Sequence, residues 1–485
     1  MPSVCEAQRM LIDGELVESV SGQWLVSIDP ATEEPIGRVP AGNAADVELA
    51  VRAAERAWPA WAALAPLARA EAMNRFADGI AARAEEILRI EVRDTGNTIR
   101  PMRRIDVPSA VQSLRYYAGL AADLRGDSIP SSDGHLHFTV HEPYGVVVRI
   151  APFNHPLMFA VARTAAALAA GNAVIVKPPE TSPLSAMVLA QIARETLPPG
   201  VFNIVTGEGR EVGEALVRHP AVKRIAFIGS TQTGRAIQRA AAETGVKHVT
   251  LELGGKNPMI VFPDCDPERI AEAAIAGMNF SWQGQSCGSL SRLLVHEDIH
   301  DRVLEALLER VRALRLGDPM SESTDVGPVN SAAHRQRILE HCANARADGA
   351  RCLVGGGPPE GEAFARGYWV APTVFADVTP DMRLWQQEVF GPVLAVSRWR
   401  DVEQVVELAN ASEYGLTAAI WSHDIDAALR MAQRVRSGHL WINGSSMHFL
   451  GVPFGGMKSS GVGREEGREE LLSYTETKTI NIILS

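Results

Sequence analysis

The 485-residue chain lacks the features that would indicate a membrane, nucleic-acid or structural-metal protein. Its five cysteines are scattered and form no C-x-x-C pair, which argues against structural zinc and fits a reducing compartment. No apolar run reaches the roughly 18–20 residues of a membrane span, and the N-terminus has no basic segment followed by an apolar one. The net charge is −11, and no stripe of basic residues is visible in the sequence. Both features argue against nucleic acid or an anionic membrane as the main partner. We therefore expect a cytoplasmic protein with no signal peptide and no bound metal.

The chain does contain enough apolar material for several hydrophobic cores. A length of 485 residues exceeds what one core usually supports, and 46% apolar residues are typical of a well-packed globular protein. Two or three domains are expected.

The first third of the sequence has a helical pattern. Residues 44–64 and 67–94 both carry apolar side chains at helical spacing, and the second helix is predicted to end at Gly96. Residues 127–134 have the composition of a loop, and residues 135–141 alternate like a β-strand.

Buried-strand runs then alternate with helices. The runs are residues 146–150, 173–176, 201–205 and 224–228, and a second α/β series covers residues 257–443. This order predicts an α/β fold with a parallel sheet, helices on both faces and ligands at the carboxyl ends of the strands. Residues 478–484 form an apolar strand whose open edge needs a partner element or subunit.

Two residue types that acyl chemistry needs occur at breaks in this pattern. Cys287 lies between a serine and a glycine, where a thiolate is open to a carbonyl carbon. Glu252 follows the alternating residues 248–251 and precedes two glycines, where a carboxylate can face a cavity and activate water. A lone cysteine is more often a small buried side chain, and such a glutamate is usually an exposed turn residue. Together, however, they favour oxidation of an aldehyde to an acid through a thioester.

A cofactor site is predicted where two strands give way to helices. Gly229 and Ser230 follow a buried strand and open a helix, so that backbone N–H groups can hold a pyrophosphate, although G-x-G-x-x-G is absent. Lys177 and Glu180 come just beyond another strand and can bind ribose hydroxyls. A carboxylate there repels a 2′-phosphate and favours NAD, with NADP as the alternative. The same residues are also compatible with ordinary strand–helix loops.

Eight short motifs occur in one order along the chain. They are residues 151–156, 177–180, 229–231, 252–255, 284–287, 388–392, 453–456 and 460–465. In these motifs the chain resembles the NAD(P)-dependent aldehyde dehydrogenase superfamily across essentially its whole length.

The resemblance implies a role for each matching residue. Cys287 would be the nucleophile and Glu252 the general base, while the Asn154 amide and the Cys287 backbone N–H would hold the oxyanion. The cofactor residues it implies are Lys177 and Glu180 at the adenosine ribose, Gly229 and Ser230 at the pyrophosphate, Glu388 at the nicotinamide ribose and Phe390 at the nicotinamide.

The resemblance also implies a domain plan. A Rossmann-type NAD-binding domain would comprise residues 1–122 and 147–252, and an α/β catalytic domain residues 253–452. A small β oligomerisation element would comprise residues 123–146 and 453–485. A homodimer or homotetramer is therefore expected.

Departures from the family pattern concern the aldehyde tunnel. His155, Phe159 and Ala162 would share one helix face, and Ala162 stands where relatives often have a bulky aromatic residue or a carboxylate-binding arginine. The next residue, Arg163, is expected to point elsewhere and to retain a charge that the family commonly supplies as lysine. The wall of the aldehyde tunnel at Ala162 would therefore be open and uncharged.

Two further tunnel residues are expected from the C-terminal part. His448 and Phe454 lie where relatives place tunnel residues, and the two histidines could hydrogen-bond a ring hydroxyl. We therefore expect a bulky, aromatic, oxygenated and neutral aldehyde. In the alternative, Trp282 fills the space that Ala162 leaves, and His155 and His448 only pack against neighbouring side chains without binding the substrate.

Two other functions are compatible with this fold. A coenzyme A-acylating semialdehyde dehydrogenase typically lacks a glutamate at position 252, so Glu252 argues for hydrolysis. A non-catalytic binding protein would be expected to have lost Cys287, Glu252 or Asn154, and all three are present.

Overall fold

The structure is a computed structural model that describes residues 8–131 and 134–483. The strands are Met10–Ile12 (β1), Glu15–Val17 (β2), Trp24–Ile28 (β3), Pro35–Pro40 (β4), Ser128–Ile129 (β5), Leu136–Pro143 (β6), Val146–Ile150 (β7), Ala173–Lys177 (β8), Phe202–Ile204 (β9), Val222–Ile228 (β10), His248–Glu252 (β11), Pro258–Val261 (β12), Arg292–His296 (β13), Arg351–Val354 (β14), Thr373–Ala376 (β15), Val393–Trp399 (β16), Thr417–Trp421 (β17), His439–Ile442 (β18), Gly461–Val462 (β19) and Thr475–Ile482 (β20).

Helices connect most of these strands. They are Ala44–Ala63 (α1), Pro66–Ala82 (α2), Ala84–Thr95 (α3), Ile99–Leu120 (α4), Pro156–Ala169 (α5), Leu184–Thr196 (α6), Glu214–Arg218 (α7), Thr231–Thr244 (α8), Pro267–Gly277 (α9), Glu297–Arg312 (α10), Ala332–Ala347 (α11), Arg383–Gln386 (α12), Val402–Asn410 (α13), Ile425–Arg434 (α14) and Arg468–Leu472 (α15).

The first large sheet carries the predicted cofactor motifs. Its strand order is β19-β11-β10-β7-β8-β9-β1-β2, and its central strands from β11 to β9 are parallel. The strands β7, β8, β10 and β11 end at Ile150, Lys177, Ile228 and Glu252, and parallel strands present these ends at one edge. The predicted parallel α/β sheet is confirmed, and Lys177 ends its strand rather than following it.

The second large sheet follows the predicted second α/β series. Its order is β14-β15-β16-β13-β12-β17-β18, with only the β14–β15 pair antiparallel among the described strands. Helices cover its two faces and enclose two separate hydrophobic clusters. The loop that carries Cys287 lies between α9 and β13, at the end of this sheet that faces the first one.

A small sheet contains the end of the described chain. The strands β5, β6 and β20 pair antiparallel, and β20 pairs with β6 along its whole length. The terminal strand is therefore paired on one side, and its other edge has no strand partner within the described residues. Residue 484, which was included in the predicted strand, lies outside those residues.

The predicted loop at residues 127–134 is partly wrong. Ser128–Ile129 forms β5 because it pairs with Phe138 and His137 of β6. Residues 132 and 133 lie outside the described part of the chain.

The C-terminal segment divides between two sheets. The strand β19 pairs with β11 at the edge of the first sheet, whereas β20 belongs to the small sheet. The limits of the three predicted domains stay a prediction.

The predicted helix at residues 67–94 is two helices. Arg83 has a non-helical backbone (φ −108°, ψ 19°) and separates α2 from α3, and its side chain bonds to Glu86 and Gln191. The apolar spacing continues through the break, so no local feature of the sequence indicates it. The predicted end is correct, because Gly96 adopts the left-handed conformation (φ 81°) that favours glycine.

Two buried acids of α3 hold the helices that follow β7 and β8. Glu91 accepts from the Leu157 N–H at 2.8 Å in the first turn of α5, and Asp94 accepts from the Leu184 N–H at 2.7 Å at the start of α6. Carboxylates in these positions accept hydrogen bonds from otherwise unpaired N–H groups at the helix start, and they interact favourably with the helix dipole. Burial raises the pKa of Asp94 to about 7.

Across residues 8–131 and 134–483, none of the helices combines the length and apolar character that crossing a membrane requires.

Candidate active site

A cavity of about 420 Å³ lies between the two large sheets. Its wall contains the predicted catalytic and tunnel residues Asn154, His155, Phe159, Ala162, Glu252, Cys287, His448 and Phe454. These residues come from distant parts of the chain, so the fold is what brings them together. Their individual roles stay a prediction.

The Cys287 loop is held by tight backbone contacts. Gly284 has a positive φ of 66°, and a side chain there would place its Cβ 2.2 Å from the Gly391 carbonyl oxygen. Asn257 fixes the other side of the loop by donating to the Cys287 carbonyl at 2.7 Å. The sulfur-bearing residue stays partly accessible from the cavity, although it lies deep in the protein.

The pKa of the Cys287 thiol lies well above its ordinary value. Burial is the largest cause, and the nearby Glu252 carboxylate is the next. The thiol is therefore protonated at neutral pH and must lose its proton in order to attack a carbonyl carbon.

Glu252 ends β11 with its side chain inside the cavity. The residue is 3% exposed, and neither carboxylate oxygen has a hydrogen-bond partner within the described residues. Burial, and then the Glu465 carboxylate, raise the pKa of Glu252 to about 8. The thiol of Cys287 is close enough to influence this pKa, yet no hydrogen bond of ordinary geometry joins the two. Such a carboxylate is free to accept a proton from water or from a thiol.

Asn154 is oriented by two backbone contacts. Its side-chain Nδ2 donates to the Gln285 carbonyl at 2.9 Å, and its own carbonyl accepts from Asn97 Nδ2 at 2.7 Å. An amide nitrogen carries two hydrogens, so one remains for a ligand in the cavity. The Cys287 backbone N–H is a second donor, since it has no acceptor within the part of the chain that the structure describes.

Lys177 and Glu180 form a salt bridge of 2.6 Å at the edge of the first sheet. Lys177 is buried, whereas 48% of the Glu180 side chain is exposed. Although burial opposes ionisation of Glu180, Lys177 lowers its pKa. Glu180 is therefore an ionised, accessible acceptor.

Gly229 and Ser230 form the turn between β10 and α8. A Cβ at Gly229 would lie 2.4 Å from the Phe227 ring, so a side chain would require that ring to move. Ser230 is exposed and caps the helix by accepting from the Thr233 N–H at 3.2 Å. The remaining N–H groups at this helix start are suited to an anion.

Glu388 and Phe390 border a narrow cavity together with Gly255, Gly284 and Ser286. Glu388 Oε1 accepts from the Gly255 N–H at 2.8 Å, and burial raises its pKa to about 7. Phe390 has a positive φ of 53°, and its carbonyl accepts from His334 at 2.7 Å. This cavity is next to the Cys287 loop.

The donors and acceptors along this edge fit a dinucleotide. Glu180 offers an exposed acceptor, the start of α8 offers free N–H groups, and Glu388 offers a second carboxylate beside the Cys287 loop. These are the groups that a ribose, a pyrophosphate and a second ribose require.

His155 and Trp282 pack together in the cavity wall. Their ring centroids are 4.6 Å apart, and His155 Nδ1 lies 3.1 Å from Asp106. Trp282 is 6% exposed, so it supports His155 from one side. Asp106 had no recognisable signal in the sequence, because an acidic residue within a helix is usually exposed.

The expectation for Arg163 is wrong in part. It was expected to point elsewhere on the helix, but its side chain lines the cavity. Its guanidinium binds Glu465 at 2.9 Å and Glu466 at 2.5 Å, so its charge is balanced inside the protein. The prediction that it is not a free substrate clamp agrees with these contacts. Glu465 belongs to the motif at residues 460–465, which was its only sequence signal.

The chain is similar to known proteins over nearly its whole length. The model of the aldehyde dehydrogenase family matches residues 16–480. The chain is 42% identical over 482 residues to aldehyde dehydrogenase tropH of Talaromyces stipitatus, covering 98% of this chain and 93% of that protein.

Solved structures of similar proteins hold NAD. PnpE from Pseudomonas sp. WBC-3 in complex with nicotinamide adenine dinucleotide is 40% identical, with a TM-score of 0.96 over 98% of this chain and 97% of that one. The NAD⁺ complex of a Bacillus cereus aldehyde dehydrogenase is 37% identical, with a TM-score of 0.96 over 99% and 97% of the two chains. The chain therefore belongs to the aldehyde dehydrogenase family, and it is an NAD(P)-dependent aldehyde dehydrogenase.

Proposed function

We propose that this enzyme oxidises a bulky, neutral, aromatic and oxygenated aldehyde to a carboxylic acid by a hydrolytic, NAD-dependent mechanism. The observation that carries the proposal is the single cavity shared by Cys287, Glu252 and Asn154, with Ala162 in its wall. The overall reaction consumes aldehyde, water and NAD⁺ and releases acid, NADH and a proton.

In the first step, Cys287 Sγ attacks the aldehyde carbon and forms a thiohemiacetal. The thiol proton leaves as the carbon–sulfur bond forms, and Glu252 is the unpaired carboxylate at hand to accept it. The aldehyde oxygen becomes an oxyanion, which the free Asn154 amide hydrogen and the Cys287 N–H stabilise. Neutral donors suit this step because they stabilise the charge without protonating it.

Bound NAD supplies the acceptor for the hydride that leaves the thiohemiacetal carbon. Glu388 and Phe390 are the residues we expect to orient its nicotinamide end, since they border the cavity beside the Cys287 loop. Loss of the hydride leaves a thioester on Cys287.

Hydrolysis of the thioester then depends on Glu252. Its carboxylate deprotonates a water molecule, which attacks the thioester carbon, and the acid departs as the Cys287 thiolate is released. Once Glu252 has returned the thiol proton to solvent, its lack of hydrogen-bond partners leaves it available for this step. A positioned base contributes on the order of 10²–10⁴-fold. This carboxylate beside the nucleophile favours hydrolysis over transfer to coenzyme A.

The substrate class rests on the shape of the cavity wall. Ala162 leaves room beside Phe159, and Phe454 provides an apolar surface near His448. Arg163 offers no free positive charge, because it is bound to two glutamates. Planar apolar surfaces with an open wall favour an aromatic ring over a small or carboxylate-bearing aldehyde.

A substrate survey tests this proposal. NADH release is measured with aliphatic, aromatic and carboxylate-bearing aldehydes, with NAD or NADP, and with and without coenzyme A. We expect turnover without coenzyme A, led by an aromatic aldehyde. A strict requirement for coenzyme A would refute hydrolysis, and a preference for acetaldehyde or succinic semialdehyde would refute the substrate class.

We also propose that the protein forms a homodimer or homotetramer through its small sheet. The open edge of β20 and the exposed side chains of Ile482 (41%) and Ile483 (71%) support this. Light scattering coupled to size exclusion measures the mass directly, and a monomer at micromolar concentration would contradict the proposal.

A further inference from the structure

Two histidines in the cavity wall are held in the same unusual way. Nδ1 of His155 lies 3.1 and 3.2 Å from the two Asp106 oxygens, and Nδ1 of His448 lies 3.0 and 3.2 Å from the two Glu466 oxygens. Asp106 is 0% exposed and Glu466 is 5% exposed. Each imidazole is therefore oriented by a buried carboxylate, and both rings line the same cavity.

This contact determines what the other ring nitrogen can do. A carboxylate accepts hydrogen bonds, so Nδ1 carries the proton in each pair and Nε2 is left to face a ligand. Neither Nε2 has a hydrogen-bond partner among residues 8–131 and 134–483. Nε2 accepts a hydrogen bond when the imidazole is neutral and donates one when it is protonated. A hydroxyl group pairs with it in both states, whereas an ether or carbonyl oxygen pairs in only one.

Aromatic neighbours keep both imidazoles in place. The His155 ring centroid lies 4.6 Å from that of Trp282 and 5.9 Å from that of Phe159. The His448 ring centroid lies 4.7 Å from that of Phe454. Each imidazole thus stands beside apolar ring surfaces, which is the environment expected for a polar substituent on a planar ring.

The charges around the cavity argue against a carboxylate substituent. Asp106 and Glu466 lie directly behind the two imidazoles, and Glu465 adds a third carboxylate. Arg163 is the only lysine or arginine among the described residues of the wall, and two of these glutamates bind it. A carboxylate substituent on the substrate would therefore be repelled by these side chains, whereas a neutral hydroxyl substituent would not.

We propose that His155 and His448 bind hydroxyl groups of the substrate, and that Asp106 and Glu466 are positioning residues that hold the two imidazoles for this purpose. The enzyme then selects hydroxylated aromatic aldehydes over unsubstituted, methoxylated and carboxylated ones. This inference rests on the proposed function, because it concerns the substrate of the same cavity.

The first test compares kcat/KM for benzaldehyde with that for its 2-, 3- and 4-hydroxy, methoxy and carboxy derivatives. At least one hydroxy isomer is expected to exceed benzaldehyde and its own methoxy derivative by about tenfold, the value of one net hydrogen bond. The carboxy derivatives are expected to fall below benzaldehyde. A wild-type enzyme that shows no preference for any hydroxy isomer overturns the proposal.

The second test removes each imidazole. In His155→Phe or His448→Phe, the ratio of hydroxy isomer to benzaldehyde is expected to fall to about one for the isomer that the histidine binds. Met158→Leu is the matched control, since it changes the same wall without removing a hydrogen-bonding group or a ring that packs against either histidine, and it should keep the ratio within about twofold. Retention of the full preference in both histidine variants overturns the proposal.

The third test separates positioning from a structural role. Asp106→Asn and Glu466→Gln keep a polar partner for Nδ1 and should retain most of the preference for the hydroxy isomer. Asp106→Leu and Glu466→Leu remove that partner and should lose the preference, because KM for the hydroxy isomer rises. A merely structural role would affect benzaldehyde and the hydroxy isomer equally. Equal losses on both substrates would overturn the assignment of the two carboxylates.

A binding experiment keeps this inference separate from the proposed chemistry. Calorimetry on Cys287→Ala measures the affinity for the preferred hydroxy isomer and for benzaldehyde without turnover. An affinity ratio of about tenfold supports the inference even if the wild-type enzyme fails to hydrolyse a thioester, and a ratio of about one overturns it.

Discussion

The pH dependence of turnover tests the role of Glu252 most directly. Burial, followed by the Glu465 carboxylate, raises the pKa of Glu252 to about 8. The base acts only when it is ionised, so turnover limited by thioester hydrolysis should rise as pH rises through this pKa. With a pKa of about 8, about one tenth of Glu252 is ionised at pH 7 and about nine tenths at pH 9. The ionised fraction, and with it the linear rate, is therefore expected to increase about tenfold between pH 7 and pH 9.

Stopped-flow measurement of NADH separates the two half-reactions. The burst reports formation of the thioester and the later linear phase reports its hydrolysis, so the pH profile of the linear phase belongs to the second step. In Glu252→Gln the burst should keep its amplitude but become slower, because the variant has lost the proposed acceptor of the thiol proton. The linear rate should fall by about 10²–10⁴-fold and lose its rise near pH 8. Glu388 has a pKa of about 7, so Glu388→Gln is the control whose linear phase should keep that rise.

Two results would refute this reasoning. A linear phase that follows a clear burst but stays flat between pH 6 and 9 would show that ionisation of Glu252 does not control hydrolysis. A Glu252→Gln enzyme with the wild-type linear rate would remove the residue from the mechanism.

Three further predictions concern other parts of the site. Cys287→Ala should form no NADH from any aldehyde while keeping the wild-type thermal unfolding midpoint, and substantial activity would show that the nucleophile is wrong. Gly284→Ala should reduce the free energy of unfolding by roughly 2–4 kcal/mol, because of its positive φ and the Gly391 oxygen 2.2 Å from the new Cβ. Gly119→Ala, which meets no atom within 4 Å, is the control and should not destabilise the protein in denaturant titrations. Glu180→Ala should lower the ratio of kcat/KM for NAD to that for NADP by removing like-charge repulsion, and an unchanged ratio would contradict its role.

Most of the strand–turn–helix order could be predicted from the sequence. The strands β7, β8 and β10 contain apolar runs, β11 shows alternation, and turn residues follow each of them, so every one of these signals is local to the chain. The signal for the end of α3 was equally local, since Gly96 is the glycine that a helix end favours in the left-handed conformation. Elements that depend on a distant partner were not predictable in this way. The strand β5 exists only because β6 pairs with it, and the break at Arg83 coincides with a bond to Gln191 on another helix.

The candidate catalytic residues were predictable for a different reason. Cys287, Glu252 and Asn154 lie within short motifs whose order resembles that of a known family, so each could be assigned without knowledge of its neighbours. The contacts of Arg163 could not be assigned, because its partners Glu465 and Glu466 are some three hundred residues away in the chain. Asp106 was missed for the same reason, as it meets His155 only through the packing of α4 against α5.

The sequence by itself determined the α/β plan and the family, and it predicted which groups are candidates for the chemistry. These depend on local periodicity, turn residues and short motifs, which do not require knowledge of the tertiary structure. Only the tertiary structure decided the pKa of Glu252, the balance of the Arg163 charge and the orientation of His155 and His448. Burial and through-space contacts set these properties, and both arise from residues that meet only when the chain has folded.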